Sequence, residues 1–173
     1  MNDTIKTLIE RRSCKKFKSE QIKDEELNLI LQAGMNAPTG KGMQSPIILV
    51  LQDKKNIDKL RKLNAKILGA DVDPFYNAPT VLVVMADKNM FTYVEDASLV
   101  LGNMMNAAFS LGVGSCWIHR AKEEFQTEEG KALLKEWNIP ENYEGVGHCV
   151  LGYPAMEYML PKPRKKDYIW YIN

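Results

Sequence analysis

The residues of this chain best equipped for chemistry are cations, and they fall in two clusters about 150 residues apart. Residues 11–18 (RRSCKKFK) hold Arg11, Arg12, Lys15, Lys16 and Lys18, and residues 162–166 (KPRKK) hold Lys162, Arg164, Lys165 and Lys166. Neither window contains an acid. Arginine offers a phosphate two parallel hydrogen bonds, and Ser13 adds a hydroxyl donor to the first cluster. An anion is the natural partner, but plainer accounts fit the same residues. Arg11 and Arg12 could complement the dipole at a helix C-terminus, or the runs could be solvated charge. The nearby aromatics Phe17 and Trp170 add nucleic acid as a further option. Overall charge bears on that option. The 173 residues carry 23 cations and 22 acids; without the nine clustered cations, 14 face 22 acids, a body charge of −8. A body of that sign opposes an extended nucleic-acid groove.

The other candidate groups are sparse. His119 and His148 are the only histidines. Each falls on or beside a predicted strand, with no acid or cysteine at metal-ligand spacing and no Ser or Cys partner for a triad, so satisfied structural histidines are expected. Cys116 sits in a predicted strand as an inert buried thiol. Cys14 lies among five cations, which could lower its pKa and make it reactive. No GxGxxG follows a strand, no GxxxxGK[ST] exists, and GVGSC (112–116) precedes a strand rather than a helix. No hydrolytic machinery is visible and no metal site is expected. A bound cofactor carrying its own chemistry would explain why none is needed.

The elements that must position these residues follow from composition and periodicity. Hydrophobic content of 45% with 26% charge is ordinary for a globular chain, and 173 residues suit one domain, 1–173. Three widely spaced cysteines argue against a disulfide framework and fit a reducing cytoplasm. No apolar run is long enough for a signal peptide or a membrane span. A short helix capped by Asp3 or Thr4 runs into the first cluster, and a second starts near Asp24 and ends around Gly34–Asn36. Residues 37–46 form a Gly/Pro loop. The apolar runs 47–51 and 80–86 predict strands buried on both faces, separated by an amphipathic helix over 56–69 and a loop over 71–79. From Tyr93 to Leu111 runs the longest helix, apolar around most of its circumference, as suits a central core helix or a subunit interface. A short strand at 115–118, a helix from Thr127 to Trp137 and a strand at 146–153 follow. The tail alternates aromatic residues like a strand that needs a sheet, in this subunit or in a partner. This order predicts a layered arrangement of helices on a sheet.

Four segments in order resemble the FMN-dependent nitroreductase family. RRSCKKF (11–17) resembles its R-R-S-x-[RK]-x-F opening after a short first helix. APTGKGMQSP (37–46) resembles its A-P-S/T-G-x-x-x-Q-P loop, and LGVGSCWI (111–118) its L-G-L-G-S-C-W stretch after a long helix. LGYP (151–154) and PKPR (161–164) resemble its closing G-Y-P and P-K-x-R. The chain departs at Gly42, where the family often has Asn, and at Gln44-Ser45-Pro46, where it has Q-P-W. Residues 69–77 (GADVDPFYN) offer no match to the Asn and Lys that some members use on the pyrimidine side of the flavin.

The resemblance implies an α+β fold of three layers, a central mixed sheet flanked by helices, in a homodimer with a C-terminal arm. FMN is the implied cofactor and NADH or NADPH the reductant, with a small-molecule electron acceptor and neither nucleic acid nor membrane as partner. The family's phosphate contacts fall on Arg11, Lys162 and Arg164, with Arg12 and Ser13 alongside. Lys15 matches the cation near the pyrimidine edge. Pro38, Thr39 and Gly40 match a loop that packs on the flavin of the other subunit, and Gln44 shares that motif. Ile118, His119 and Arg120 match the segment whose backbone faces flavin N5. Implied turnover is ping-pong reduction of nitroaromatics, quinones or similar acceptors, with no catalytic acid or base in its first half. Relatives that dehalogenate or cleave flavin with oxygen, and a non-catalytic flavin-binding module, stand as alternatives. The ten or so residues between Met85 and the long helix leave little to cover the flavin face, so an open acceptor site is expected.

Overall fold

The seven apolar-rich residues Thr80–Ala86 have one solution in water, burial on both faces, and they form the centre of the sheet. The structure, a computed structural model, describes residues 1–172. Strands β1 (Pro46–Leu51), β2 (Thr80–Asp87), β3 (Gly114–Ile118) and β4 (Tyr143–Gly152) lie in the order β1-β2-β4-β3, each pair antiparallel. One parallel bridge, Ser13 to Ser115, with the Cys14 amide donating to the Ser115 carbonyl at 2.8 Å, makes the outer edge of β3 mixed.

Alternation along β2 divides the core. Val81, Val83 and Met85 face one layer, α3 (Lys54–Leu68), α5 (Ala121–Gln126) and α6 (Glu128–Glu136), through Leu60, Phe125 and Leu134. Leu82, Val84 and Ala86 face the other, α2 (Asp24–Met35) and α4 (Tyr93–Ser110), through Ile30, Leu101 and Met104. The result is the expected three layers.

The structure corrects or sharpens the expected elements at four places. Helix α1 (Asp3–Glu10) is capped by Asn2, whose side chain accepts from the Ile5 amide at 2.9 Å, one residue before the expected cap. β1 is not buried on both faces: it is an edge strand with half-buried Ile47–Leu49 and exposed Val50, because only β2 flanks it. Helix α5 fills the stretch between β3 and Thr127, where periodicity predicts no element. Thr127 joins it to α6, donating from its hydroxyl to the Glu124 carbonyl at 2.7 Å while accepting from the Gly130 amide at 2.9 Å. The aromatic tail joins no sheet of this chain: Tyr168–Ile172 are extended beyond the fold and highly exposed.

Helix α4 buries Ala97, Val100, Leu101, Met104 and Ala108 but leaves Leu99 about half exposed, so the chain covers one face of it. No helix among the described residues is long and apolar enough to cross a membrane.

Candidate functional site

The first basic cluster is fixed from both sides. Arg12 Nη1 donates to the carbonyls of Ile9 at 2.8 Å and Arg11 at 2.7 Å, closing the end of α1. The bridge to Ser115 then pins Ser13 to β3, and Gly114 lets the chains touch, since a Cβ there would meet Cys14 Sγ at 2.9 Å. Residues 16–18 pair with the stretch after β4, through Lys18 N to Tyr153 O and Ala155 N to Lys16 O, both at 2.9 Å. That pairing starts the arm beside the cluster. Arg12, Ser13 and Lys15 on one wall and Lys162 and Arg164 on the other enclose a cleft of about 320 Å³, with Met156 and Leu160 between them.

The electrostatics of this cleft are unfinished. Among the described residues, none of Arg11, Arg12, Lys15, Lys162 and Arg164 makes a salt bridge. Arg11 Nη1, Arg12 Nε and Ser115 Oγ are buried polar atoms without a partner. Buried donors normally find acceptors, and converging cations without acids call for an anion. Arginine donors beside a hydroxyl fit a phosphate group.

Lys15 is placed at the rim, its ammonium 5.8 Å from the centre of the Tyr76 ring. Tyr76 and Asn77 both have φ +54, a conformation costly for residues with side chains. Asp73 holds this turn, its carboxylate accepting from the Phe75 amide at 2.9 Å. Tyr76 and Asp73 lie in residues 69–77, which offer no match to the Asn and Lys of some family members, so no motif points to them.

The loop carrying Pro38, Thr39, Gly40 and Gln44 does not line this cleft. It is anchored by buried Asp96 on α4, which accepts from the Gly40 amide at 2.9 Å and the Ser45 hydroxyl at 2.8 Å. The Gln44 amide donates to Thr39 Oγ1 at 3.0 Å. A Cβ on Gly40 would sit 2.2 Å from Thr92 Oγ1, so the loop approaches α4 only with glycine here. Pro38 and Gln44 point outward and are exposed. Nearby, Lys41 lies 5.7 Å from the centre of the exposed Phe91 ring.

Ile118, His119 and Arg120 form the turn at the far end of β3, three residues from Ser115 and thus roughly 10 Å from the cleft. Arg120 has φ +80. Beneath the turn lies a network that sequence reasoning missed. Arg120 Nε donates to Asn64 Oδ1 at 2.9 Å, and Asn64 Nδ2 donates to the His119 carbonyl at 3.0 Å and to Glu124. Glu124 Oε2 meets His148 Nε2 at 2.9 Å, and His148 Nδ1 meets the Ile118 carbonyl at 3.2 Å. Asn64, Glu124 and His148 are fully buried. His148 is the satisfied histidine expected, but its partner is an acid on a helix no periodicity announced.

The thiols are inert by environment. Burial pushes Cys14 and Cys116 above the ordinary thiol range and Cys149 to about 12. Cys14 is therefore not activated by its cationic neighbours: its side chain is buried, and desolvation outweighs the effects that lower it. Against this trend a hydrogen bond from Ser13 and the charges of Lys15 and Arg11 lower Cys116, and Arg11 lowers Cys149.

Comparison with known proteins bears on family and fold. The model of the nitroreductase family matches residues 8–71 and 64–153. A protein of Archaeoglobus fulgidus, provisionally named an NADH dehydrogenase/NAD(P)H nitroreductase, is 33% identical over 91% of this chain and 88% of its own. The Bacillus subtilis FMN reductase [NAD(P)H] is 26% identical over 95% of this chain and 70% of its own. In structure, a Bacteroides fragilis nitroreductase with bound FMN superposes with a TM-score of 0.92 at 26% identity, covering 100% of both chains.

Proposed function

Because this chain belongs to the nitroreductase family, we propose that it is an NAD(P)H-dependent FMN oxidoreductase reducing nitroaromatics, quinones or similar electron-poor acceptors. The observation that carries this reading is the convergence of two basic clusters on one cleft, with buried donors lacking acceptors. Bound FMN would supply the two-electron chemistry, taking reducing equivalents from NAD(P)H and passing them to the acceptor.

The chain's own residues bind and orient. Arg11, Lys162 and Arg164 hold the phosphate, with Arg12 and Ser13 alongside. Arg12 has spent part of its guanidinium closing α1 and contributes chiefly charge. Lys15 stands at the pyrimidine edge, where a cation favours the anionic reduced flavin. The Ile118–Arg120 backbone faces N5. Pro38, Thr39, Gly40 and Gln44 serve the flavin of a partner subunit, in keeping with a loop that faces away from this chain's own cleft. A homodimer is supported by apolar surface left open: Ile5, Leu8 and Ile9 on α1, Leu99 on α4, and the Tyr168–Ile172 arm. The arm then finds in the partner the contacts this chain does not provide. One domain spans 1–173, the ligands are small molecules rather than nucleic acid or lipid, and three unpaired thiols suit the cytoplasm.

The test is an anaerobic titration of purified protein loaded with FMN. NADH or NADPH is expected to bleach the flavin, and a nitroaromatic or quinone to restore its colour. A protein that takes up no FMN, or bound flavin that neither nicotinamide reduces, overturns the reading.

A further inference from the structure

The hydrogen bonds beneath the Ile118–Arg120 turn fix where a proton must sit. The Ile118 carbonyl only accepts, so His148 Nδ1 must carry a hydrogen. The remaining contact, His148 Nε2 to Glu124 Oε2 at 2.9 Å, then needs one proton between two atoms that otherwise present lone pairs to each other. Either the imidazole is charged and the carboxylate ionised, or both are neutral. In both cases the pair holds one shared proton and no net charge, which suits a fully buried position. The other oxygen of Glu124 is held by Asn64, whose remaining atoms reach the His119 carbonyl and the Arg120 guanidinium. Three buried side chains from α3, α5 and β4 thus grip all three residues of the turn. A left-handed arginine at φ +80 persists only where its surroundings over-determine it.

We infer that Asn64, Glu124 and His148 are positioning residues that hold the Ile118–Arg120 backbone against the flavin, and so set how strongly the site prefers reduced over oxidised FMN. This rests on the proposed assignment of the turn to the N5 edge. A turn held from beneath keeps its main chain aimed where reduction changes the flavin, whereas a loosened turn would bind both redox states with less distinction.

The ratio of FMN affinities in the two redox states separates this from mere structural support, and Glu124→Gln is the conservative rescue. A glutamine amide donates to a neutral His148 Nε2, and its carbonyl accepts from Asn64, so the grip survives without a carboxylate. Glu124→Ala and Asn64→Ala break it. The experiment measures amide exchange of residues 118–121 in the full chain, and FMN affinity in the oxidised and reduced states. Wild type and Glu124→Gln are expected to protect the turn and keep the same affinity ratio. Both alanine variants should exchange these amides about ten-fold faster while β2 stays protected, with the ratio falling about five-fold. Unchanged exchange at 118–121, or affinity lost equally in both redox states, overturns the inference. Should the wild type bind no FMN, the functional reading fails, and with it the inferred redox preference; the exchange arm still decides whether these side chains hold the turn.

Discussion

The two ends of β3 solve opposite electrostatic problems. At Ser115 the chain gathers cations and leaves them unpaired, with one wall of the cleft built from an exposed arm. At Ile118, three fully buried polar side chains satisfy one another and the turn above them. The first end is incomplete until an anion arrives, and its residues are tuned for a ligand. The second is complete in the chain alone, and its residues are tuned for position. On the proposed assignment both ends serve one cofactor, and their polar groups are told apart by where their partners are.

The contrast predicts two crossed outcomes. Removing one partner from the buried end leaves the other unpaired without water: His148→Ala should lower stability by about 3–5 kcal/mol in urea unfolding. The same measurement on Arg164→Ala should stay within about 0.5 kcal/mol of wild type. In flavin titrations the cleft responds instead. Arg11→Ala and Arg164→Ala should weaken FMN binding several-fold or more, with the wild-type affinity falling as salt is raised. Unchanged flavin occupancy in both variants would break the phosphate assignment and the contrast with it.

A smaller effect concerns a buried thiol of β4. Burial holds the Cys149 thiol at about 12 in the folded chain, against an ordinary value of about 8.5 when unfolded. The folded state keeps a proton that the unfolded state gives up, so this contribution is intact below about pH 8.5 and is lost as pH rises toward the folded value. Urea midpoints should fall between pH 8 and pH 10, and Cys149→Ala should flatten that slope. Thiol reagents at neutral pH should label Cys14, Cys116 and Cys149 only after unfolding; rapid labelling of native Cys14 would restore the activation its sequence neighbours suggest.

The difference between the ends also explains what was legible in the sequence. The basic clusters, the Gly/Pro loop and the long helix are local patterns, visible wherever the chain places them. β2 was legible because its apolar run has one physical outcome, while the similar run of β1 could not reveal that it would lie at an edge. The Glu124–His148–Asn64 set was hidden because its members stand 24 and 60 residues apart. Glu124 also sits in AKEEFQ, whose charge suggests an exposed surface rather than a core. Asp96 was obscured differently, as one acid in the first turn of a helix whose remaining pattern is apolar. Tyr76 is reached only through the turn that Asp73 folds.

The shared proton of His148 and Glu124 has a spectroscopic meaning as well. It lies between β4 and α5 in a fully buried position, and its exchange with water waits on a local opening. Such a proton should resonate well downfield of the amide envelope in a nitrogen-labelled sample, in a part of the spectrum that is otherwise nearly empty. The chain therefore carries an internal beacon one strand-length from its cleft, able to report on the turn while leaving the ligand itself unlabelled.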